Sequence, residues 1–280
     1  MKLGVLENNM IDDVSDIAAY YNNDPEIERY RLERNQLEYE LTWRYLKQHL
    51  PSQGSILEIG AATGRYTLEL AKHGYTVTAV DFSEALIEQN RKSIANEGLE
   101  RQVRFVIADA RDLSEVTEKG FDAVLLMGPL YHLVVESDRK VALKVALDRL
   151  REGGIIFSSF ISRFGTLGHL IKDKPGWIED QAEVRSFLER GKRADDSRKG
   201  GFRGYFAQPS EIAPLHEAIG FETLLVAGVE PVISADDESY NKLQGKQRQL
   251  WLDLFYEIST EQSIMAASRH FLYIGQKRRR

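Results

Sequence analysis

Residues 55–64 read Ser-Ile-Leu-Glu-Ile-Gly-Ala-Ala-Thr-Gly, and Asp81 closes the next apolar run. Together these residues could hold a nucleoside-bearing cofactor. A glycine turn between strand and helix lets the backbone approach a ligand, and the new helix offers free N–H groups to an anion. An acidic residue at the end of the second strand is placed to grip a ribose diol. A dinucleotide fold needs Gly-x-Gly-x-x-Gly, whose middle glycine admits the pyrophosphate to the backbone. Here Ala61-Ala62-Thr63 separates Gly60 from Gly64 and that glycine is missing, which weakens a nicotinamide cofactor. Glu58, two residues before Gly60, can instead accept hydrogen bonds from an ammonium group, which an amino-acid portion carries.

These groups need a frame, and the rest of the chain supplies its pattern. Strand-like runs at 55–60, 75–80, 103–108, 121–127 and 154–161 alternate with helical stretches at about 65–73, 83–97 and 136–151. That rhythm predicts a parallel sheet covered on both faces, with right-handed crossovers. Residues 14–50 are expected to be helical: Tyr30, Leu37, Leu41 and Tyr45 recur at helical spacing, and Pro51 with Gly54 ends the run. Residues 162–207, rich in Gly, Lys, Arg and Asp, are expected as an insertion, partly helical around Asp180–Arg190. A helix at 209–219 leads into a strand, Phe221–Val229. Another helical stretch, 236–268, carries Leu243, Leu250, Trp251, Leu254, Phe255 and Ile258 on one apolar face. A strand-like run, Arg269–Gln276, precedes a basic tail, Lys277–Arg280, expected to be solvated.

The chain has 280 residues, 42% hydrophobic and 29% charged, as in soluble globular proteins, and its length suits one large domain or a domain with an added subdomain. It has no cysteine, which excludes disulfides, thiolate metal sites and cysteine nucleophiles, and no metal site is expected. The net charge of −6 argues against a large non-specific nucleic-acid surface. Met1 to Asp13 is mixed polar and acidic, unlike a signal peptide, and no apolar run approaches the roughly 20 residues of a membrane span. A cytoplasmic enzyme, monomer or homodimer, is the expectation.

Four segments carry a specific resemblance: Glu58-Ile-Gly60-Ala-Ala-Thr-Gly64, Val80-Asp81-Phe82-Ser83, Ala108-Asp109-Ala110 and Phe121-Asp122-Ala-Val-Leu-Leu-Met-Gly128. In this order and spacing, covering roughly residues 50–230, the chain resembles the class I S-adenosylmethionine-dependent methyltransferases. The resemblance implies an α/β fold: a three-layer, Rossmann-like, seven-stranded sheet, mostly parallel, with Arg269–Gln276 as the antiparallel last strand. It implies a methyltransferase domain over 51–280, with helical lids at 1–50, 162–207 and 236–268. It further implies that Glu58, Gly60, Ala61, Ala62 and Gly64 cradle the methionine part of S-adenosylmethionine, and that Asp81 binds both ribose hydroxyls. Phe82 would lie against the adenine, Asp109 would accept from its amino group, the Ala110 N–H would donate to a ring nitrogen, and Met127 would complete the cofactor set. Ala62 departs from the family's usual glycine. Simpler roles stand beside these: Glu58 in a local pair, Asp81 as a favourable charge at a helix start, Ser83 as an N-cap, and Asp122 setting a strand start.

The fourth strand ends in Met127-Gly128-Pro129-Leu130-Tyr131-His132-Leu133, where sites in open parallel sheets form. Gly128 lacks the amide or carboxylate with which nucleic-acid amine methyltransferases of this class grip a base. The loop looks more like that of bacterial small-molecule methyltransferases. Tyr131 and His132 are the candidate catalytic and acceptor-binding residues. Two roles are open to His132: general base, or a ring that satisfies backbone groups. Arg34 shares a helical face with Tyr30, Leu37 and Leu41, where it would bind a carboxylate or bridge to Glu38. Tyr20 and Tyr21 are expected to close over the cofactor or to pack in the core. Tyr205 and Phe206, beside the insertion, are candidates for stacking on a flat acceptor.

The expected activity is methyl transfer to N or O of a small molecule. One rival is an RNA or protein methyltransferase docking through Arg190, Lys192, Arg193, Arg198, Lys199 and Arg203, near Asp195 and Asp196. Another is a non-catalytic S-adenosylmethionine-binding protein. A nicotinamide dehydrogenase ranks last.

Overall fold

A computed structural model describes residues 12–24, 26–195, 202–233 and 235–279. Its helices are α1 (Ser15–Asn23), α2 (Glu26–Arg34), α3 (Gln36–His49), α4 (Arg65–Lys72), α5 (Glu84–Asn96), α6 (Pro129–His132), α7 (Glu136–Arg149), α8 (Leu167–Asp173), α9 (Gln181–Arg190), α10 (Pro209–Glu217), α11 (Asp237–Asn241), α12 (Gly245–Ile258) and α13 (Gln262–Met265). Its strands are β1 (Ser55–Ile59), β2 (Thr76–Asp81), β3 (Val103–Ile107), β4 (Phe121–Leu126), β5 (Leu150–Ser162), β6 (Phe206–Ala207), β7 (Phe221–Gly228) and β8 (His270–Lys277).

The sheet runs in the order β3-β2-β1-β4-β5-β8-β7. As expected, β1 to β5 are parallel and β8 enters antiparallel, between β5 and β7. One strand is additional: the two-residue β6 pairs with β5, so the sheet has eight strands. Along β1, alternate side chains feed opposite layers. Leu57 and Ile59 join Val124, Leu143 and Ala146 on one face, while Ile56 joins Ala79, Leu41 and Leu70 on the other. Each buried Leu, Ile or Val among them contributes roughly 1.5–3 kcal/mol, which holds the strand ends in register beneath the site. No described helix is long and apolar enough to cross a membrane.

Two departures from the sequence expectation, in the run 14–50 and in α12, matter, whereas Asp122 keeps the structural role open to it. The run 14–50 is three helices, broken before Pro25 and at Asn35, which lies between Arg34 and Gln36. Asp24, just before the proline, leaves the helical region at φ −145° and ψ 77°, as the steric bar of a following proline against the α conformation favours. Among the apolar residues of α12, Phe255 is buried but Leu250, Trp251 and Leu254 are exposed. Asp122 is structural, because its Oδ2 accepts from the Ser55 N–H at 2.9 Å and its Oδ1 from Arg151 at 2.7 Å. Within the basic insertion and tail, Asp196, Arg198, Lys199 and Arg280 lie outside the described residues.

Gly64 caps α4 at φ 87°. A Cβ there would sit 2.0 Å from Oδ1 of buried Asn90, whose amide donates to Thr67 at 2.9 Å. Gly64→Ala is therefore expected to destabilise the protein by at least about 1–2 kcal/mol from the left-handed backbone alone, with the clash added. A lowered midpoint in urea denaturation checks this, and an unchanged midpoint would show that neither the backbone strain nor the Asn90 clash is felt.

Candidate active site

The carboxyl ends of β1 to β4 open on a cleft of about 660 Å³. Its floor is the turn after β1, pinned to β2 by the Gly60 and Ala61 N–H groups donating to the Val80 carbonyl at 2.8 and 3.0 Å. Gly60, Ala62, Asp81, Phe82, Asp109, Ala110, Met127, Tyr131 and His132 all line this cleft. Val14, Ile17 and Tyr21 of the α1 region form another wall.

Asp81 is buried at the end of β2. One carboxylate oxygen accepts from the Ala62 N–H and the other from the Ser83 N–H, both at 2.9 Å. Ala62 takes φ 48°, the left-handed region that glycine adopts freely. The family's usual glycine at this position thus has a backbone reason. Ser83 is the N-cap of α5, accepting from Leu86 N–H at 3.2 Å. Asp109 faces the cleft with both oxygens clasped by Arg111, which also reaches Asp138 at 2.6 Å. Arg111 was invisible as a partner because the turn after β3 brings it back onto Asp109.

A second chamber, about 590 Å³, lies deeper and shares Gly60, Ala62, Met127 and Tyr131 with the cleft. Glu58 and Ala61 line this chamber rather than the cleft. Glu58 is buried and accepts from the Thr67 hydroxyl at 2.6 Å. Burial, together with the nearby Asp81 charge, raises its carboxyl to about 8 even though Thr67 opposes the shift. Ser159, Arg31, Glu38, Tyr66 and His270 complete much of the wall.

Several expected site residues sit elsewhere. Gly64 lines neither cavity; it borders a surface depression with Thr63 and Arg65 and serves the site indirectly, through the Asn90–Thr67–Glu58 chain. Arg34 is exposed at the end of α2, with its carbonyl accepting from Asn241, and it makes no bridge to Glu38. The break at Asn35 changes the helical phase, so Arg31 takes that place and donates to both Glu38 oxygens at 3.1 and 2.8 Å. Burial would raise Glu38, but Arg31, His270 and Arg269 outweigh it and hold the carboxyl at about 2. Tyr205 and Phe206 line neither the cleft nor the chamber. Tyr205 packs under the Arg139 guanidinium, 3.7 Å from its ring centroid, and bonds Glu211. Phe206 is drawn into β6 and packs on Phe187.

Tyr131 lines both cavities. His132 is buried, with Nδ1 3.1 Å from the Arg203 carbonyl and Nε2 3.0 Å from the Tyr21 hydroxyl. The carbonyl can only accept, so Nδ1 carries the proton and Nε2 accepts from Tyr21. Burial lowers the ring to about 4, against the Arg203 carbonyl, which favours the charged form. Both nitrogens are satisfied, which suits the backbone-satisfying role better than that of a free base.

A methyltransferase-domain family model matches residues 56–154, the span from β1 into β5. The ubiquinone biosynthesis O-methyltransferase of Coxiella burnetii is 32% identical over 189 residues, covering 66% of this chain and 71% of that protein. The chain belongs to the class I S-adenosylmethionine-dependent methyltransferases. A tRNA 5-carboxymethoxyuridine methyltransferase of Escherichia coli is 25% identical over 146 residues, half of this chain and 54% of its own length. In fold, this methyltransferase resembles the 1,6-didemethyltoxoflavin-N1-methyltransferase of Burkholderia thailandensis, solved with its acceptor and S-adenosylhomocysteine. The TM-score is 0.61 at 17% identity, covering 95% of this chain and 89% of the other.

Proposed function

We propose that this protein transfers a methyl group from S-adenosylmethionine to N or O of a small-molecule acceptor. The observation that carries this is the pairing of two buried carboxylates, Asp81 in the cleft and Glu58 in the adjoining chamber, across the shared residues Gly60, Ala62, Met127 and Tyr131. The residues fit the donor. Asp81 offers a charged acceptor to a ribose diol, and Phe82, Ala110 and Val14 offer an apolar bed for a base. Glu58 is a carboxyl kept neutral by burial until an ammonium group arrives. The donor supplies an electrophilic methyl group when bound. The chain's part is to orient it, exclude water and hold the acceptor in line. Relatives acting at oxygen and a fold neighbour acting at nitrogen support either acceptor atom.

The relation to a tRNA methyltransferase favours an RNA acceptor as the second reading. The basic insertion supports it poorly. Arg203 is buried and bonded to Asp12 and Asp16, while Arg190 and Arg193 donate to Ser186 and to the Phe202 carbonyl. Calorimetry with S-adenosylhomocysteine tests the donor site, and an acceptor screen read by methyl transfer tests the reaction. Absence of binding sinks the proposal. Transfer only to RNA, with affinity falling steeply with salt, selects the second reading.

A further inference from the structure

We propose that His270, oriented by Glu230, accepts the proton of the methyl acceptor during transfer; this rests on the methyl-transfer function above. His270 opens β8 and pairs with Ile161 near the end of β5. Because β8 is antiparallel, its first residue arrives at the edge where the parallel strands end, the edge that carries the site. The ring is only 5% exposed and lines the inner chamber with Tyr131 and Ser159.

Nδ1 lies 2.5 Å from Glu230 Oε2. A carboxylate only accepts, so Nδ1 carries the hydrogen, and in the neutral ring the lone pair sits on Nε2. Nε2 makes no hydrogen bond among the described residues. Glu230 is fully buried, and its Oε1 is a buried oxygen without a partner among them. A buried carboxylate left half-satisfied costs stability, a cost that positioning a functional imidazole would explain. This is the arrangement of a base held in one tautomer by a carboxylate. His132, whose two nitrogens are both engaged, lacks it.

The other groups facing His270 are Glu38 of α3, 3.5 Å from Nδ1, with Arg31 of α2 beyond it. Behind them Arg269 lies 3.8 Å from Asp237 of α11 and 3.1 Å from His169 of α8. Glu38, Glu230 and His270 bring ligand atoms within 4.8 Å of one another, close enough for a cation. Arg31 already holds both Glu38 oxygens, however, so a proton suits the cluster better than a metal. In the transfer step, the acceptor's lone pair bonds to the methyl carbon while the carbon–sulfur bond yields its electron pair to sulfur. The acceptor's proton passes to Nε2, and the positive charge leaving sulfur reappears on an imidazolium between Glu230 and Glu38. The acceptor class this serves is one that must lose a proton: a phenolic or enolic hydroxyl, or a ring N–H.

Catechol and thiophenol, the second already a thiolate at pH 8, separate this role from a structural one. His270→Ala is expected to lower kcat on catechol by about 100-fold. Thiophenol methylation should fall no more than about threefold, since no proton need be removed. Added imidazole should restore part of the catechol rate, and S-adenosylhomocysteine affinity should be unchanged. Glu230→Gln should lower the catechol rate less than His270→Ala and shift the His270 tautomer in ¹⁵N spectra. Equal losses on both probes, a wild-type proton on Nε2 rather than Nδ1, or a rate that vanishes on chelation and returns with a divalent cation would overturn the assignment. Failure of the wild-type protein to bind S-adenosylhomocysteine would instead overturn the donor-site reading.

Discussion

Asp81→Ala is expected to weaken S-adenosylhomocysteine binding by about 2–3 kcal/mol, some 30- to 150-fold, because each hydrogen bond to a charged group contributes roughly 1.5–3 kcal/mol and water replaces part of the loss. Two effects combine. The ribose hydroxyls lose a carboxylate acceptor. The Ala62 and Ser83 N–H groups, each 2.9 Å from an Asp81 oxygen, lose the partner that shapes the lip of the cleft. Asp81→Asn separates the two, since its one remaining oxygen preserves part of the lip but carries no charge. Titration calorimetry reads the affinity, and a melting curve shows whether the fold survives. Affinity unchanged in a folded Asp81→Ala protein would remove the residue from the donor site.

Glu58 should make both stability and binding depend on pH. Its carboxyl is raised from 4.5 to about 8 by burial, with the Asp81 charge adding to the shift and Thr67 opposing it. Between these values the folded protein holds a proton that the unfolded chain has lost. The contribution of Glu58 is therefore fully present below pH 4.5 and is lost as pH rises towards 8, by at most about 4–5 kcal/mol at 1.36 kcal/mol per unit. A bound ammonium group reverses the preference by stabilising the carboxylate. Binding at pH 6–7 should then release close to one proton, and affinity should rise by up to about tenfold per pH unit over that range. Calorimetry in two buffers of different ionisation enthalpy measures the release directly. Glu58→Gln should abolish it, weaken binding and flatten the decline of stability. Proton release that persists in Glu58→Gln would assign the effect to another group.

Which candidate residues the sequence could bring to one cleft follows from how local their geometry is. Gly60, Ala62 and Asp81 stand at strand ends and tight turns, where the position along the chain nearly dictates the position in space. Ala62 even explains itself, since its left-handed φ of 48° is what glycine usually supplies. Arg34 failed by one turn of helix. Reading 14–50 as continuous put it on the buried face, whereas the break at Asn35 rotates α2 relative to α3 and delivers Arg31 to Glu38. Tyr205 and Phe206 stand apart from both cavities because β6 captures the chain beside β5, which packs Phe206 on Phe187 and leaves Tyr205 against Arg139 and Glu211.

By itself the sequence determined the alternating sheet, the place of a cleft at the ends of β1 to β3, and the family. All of these rest on periodicity and on turns closed within a few residues. Only the tertiary structure decided which polar groups meet at the wall of the inner chamber. Glu38, Glu230 and His270 are far apart in the chain, and nothing near any of them marks it as unusual. They meet because β8 inserts antiparallel between β5 and β7, bringing His270 to the edge that carries Glu58, and because α3 packs across that edge. The surroundings then do what no local spacing reveals: burial raises the Glu58 carboxyl, while Arg31 holds the Glu38 carboxyl low against the same effect, and Glu230 lies against Nδ1 of His270.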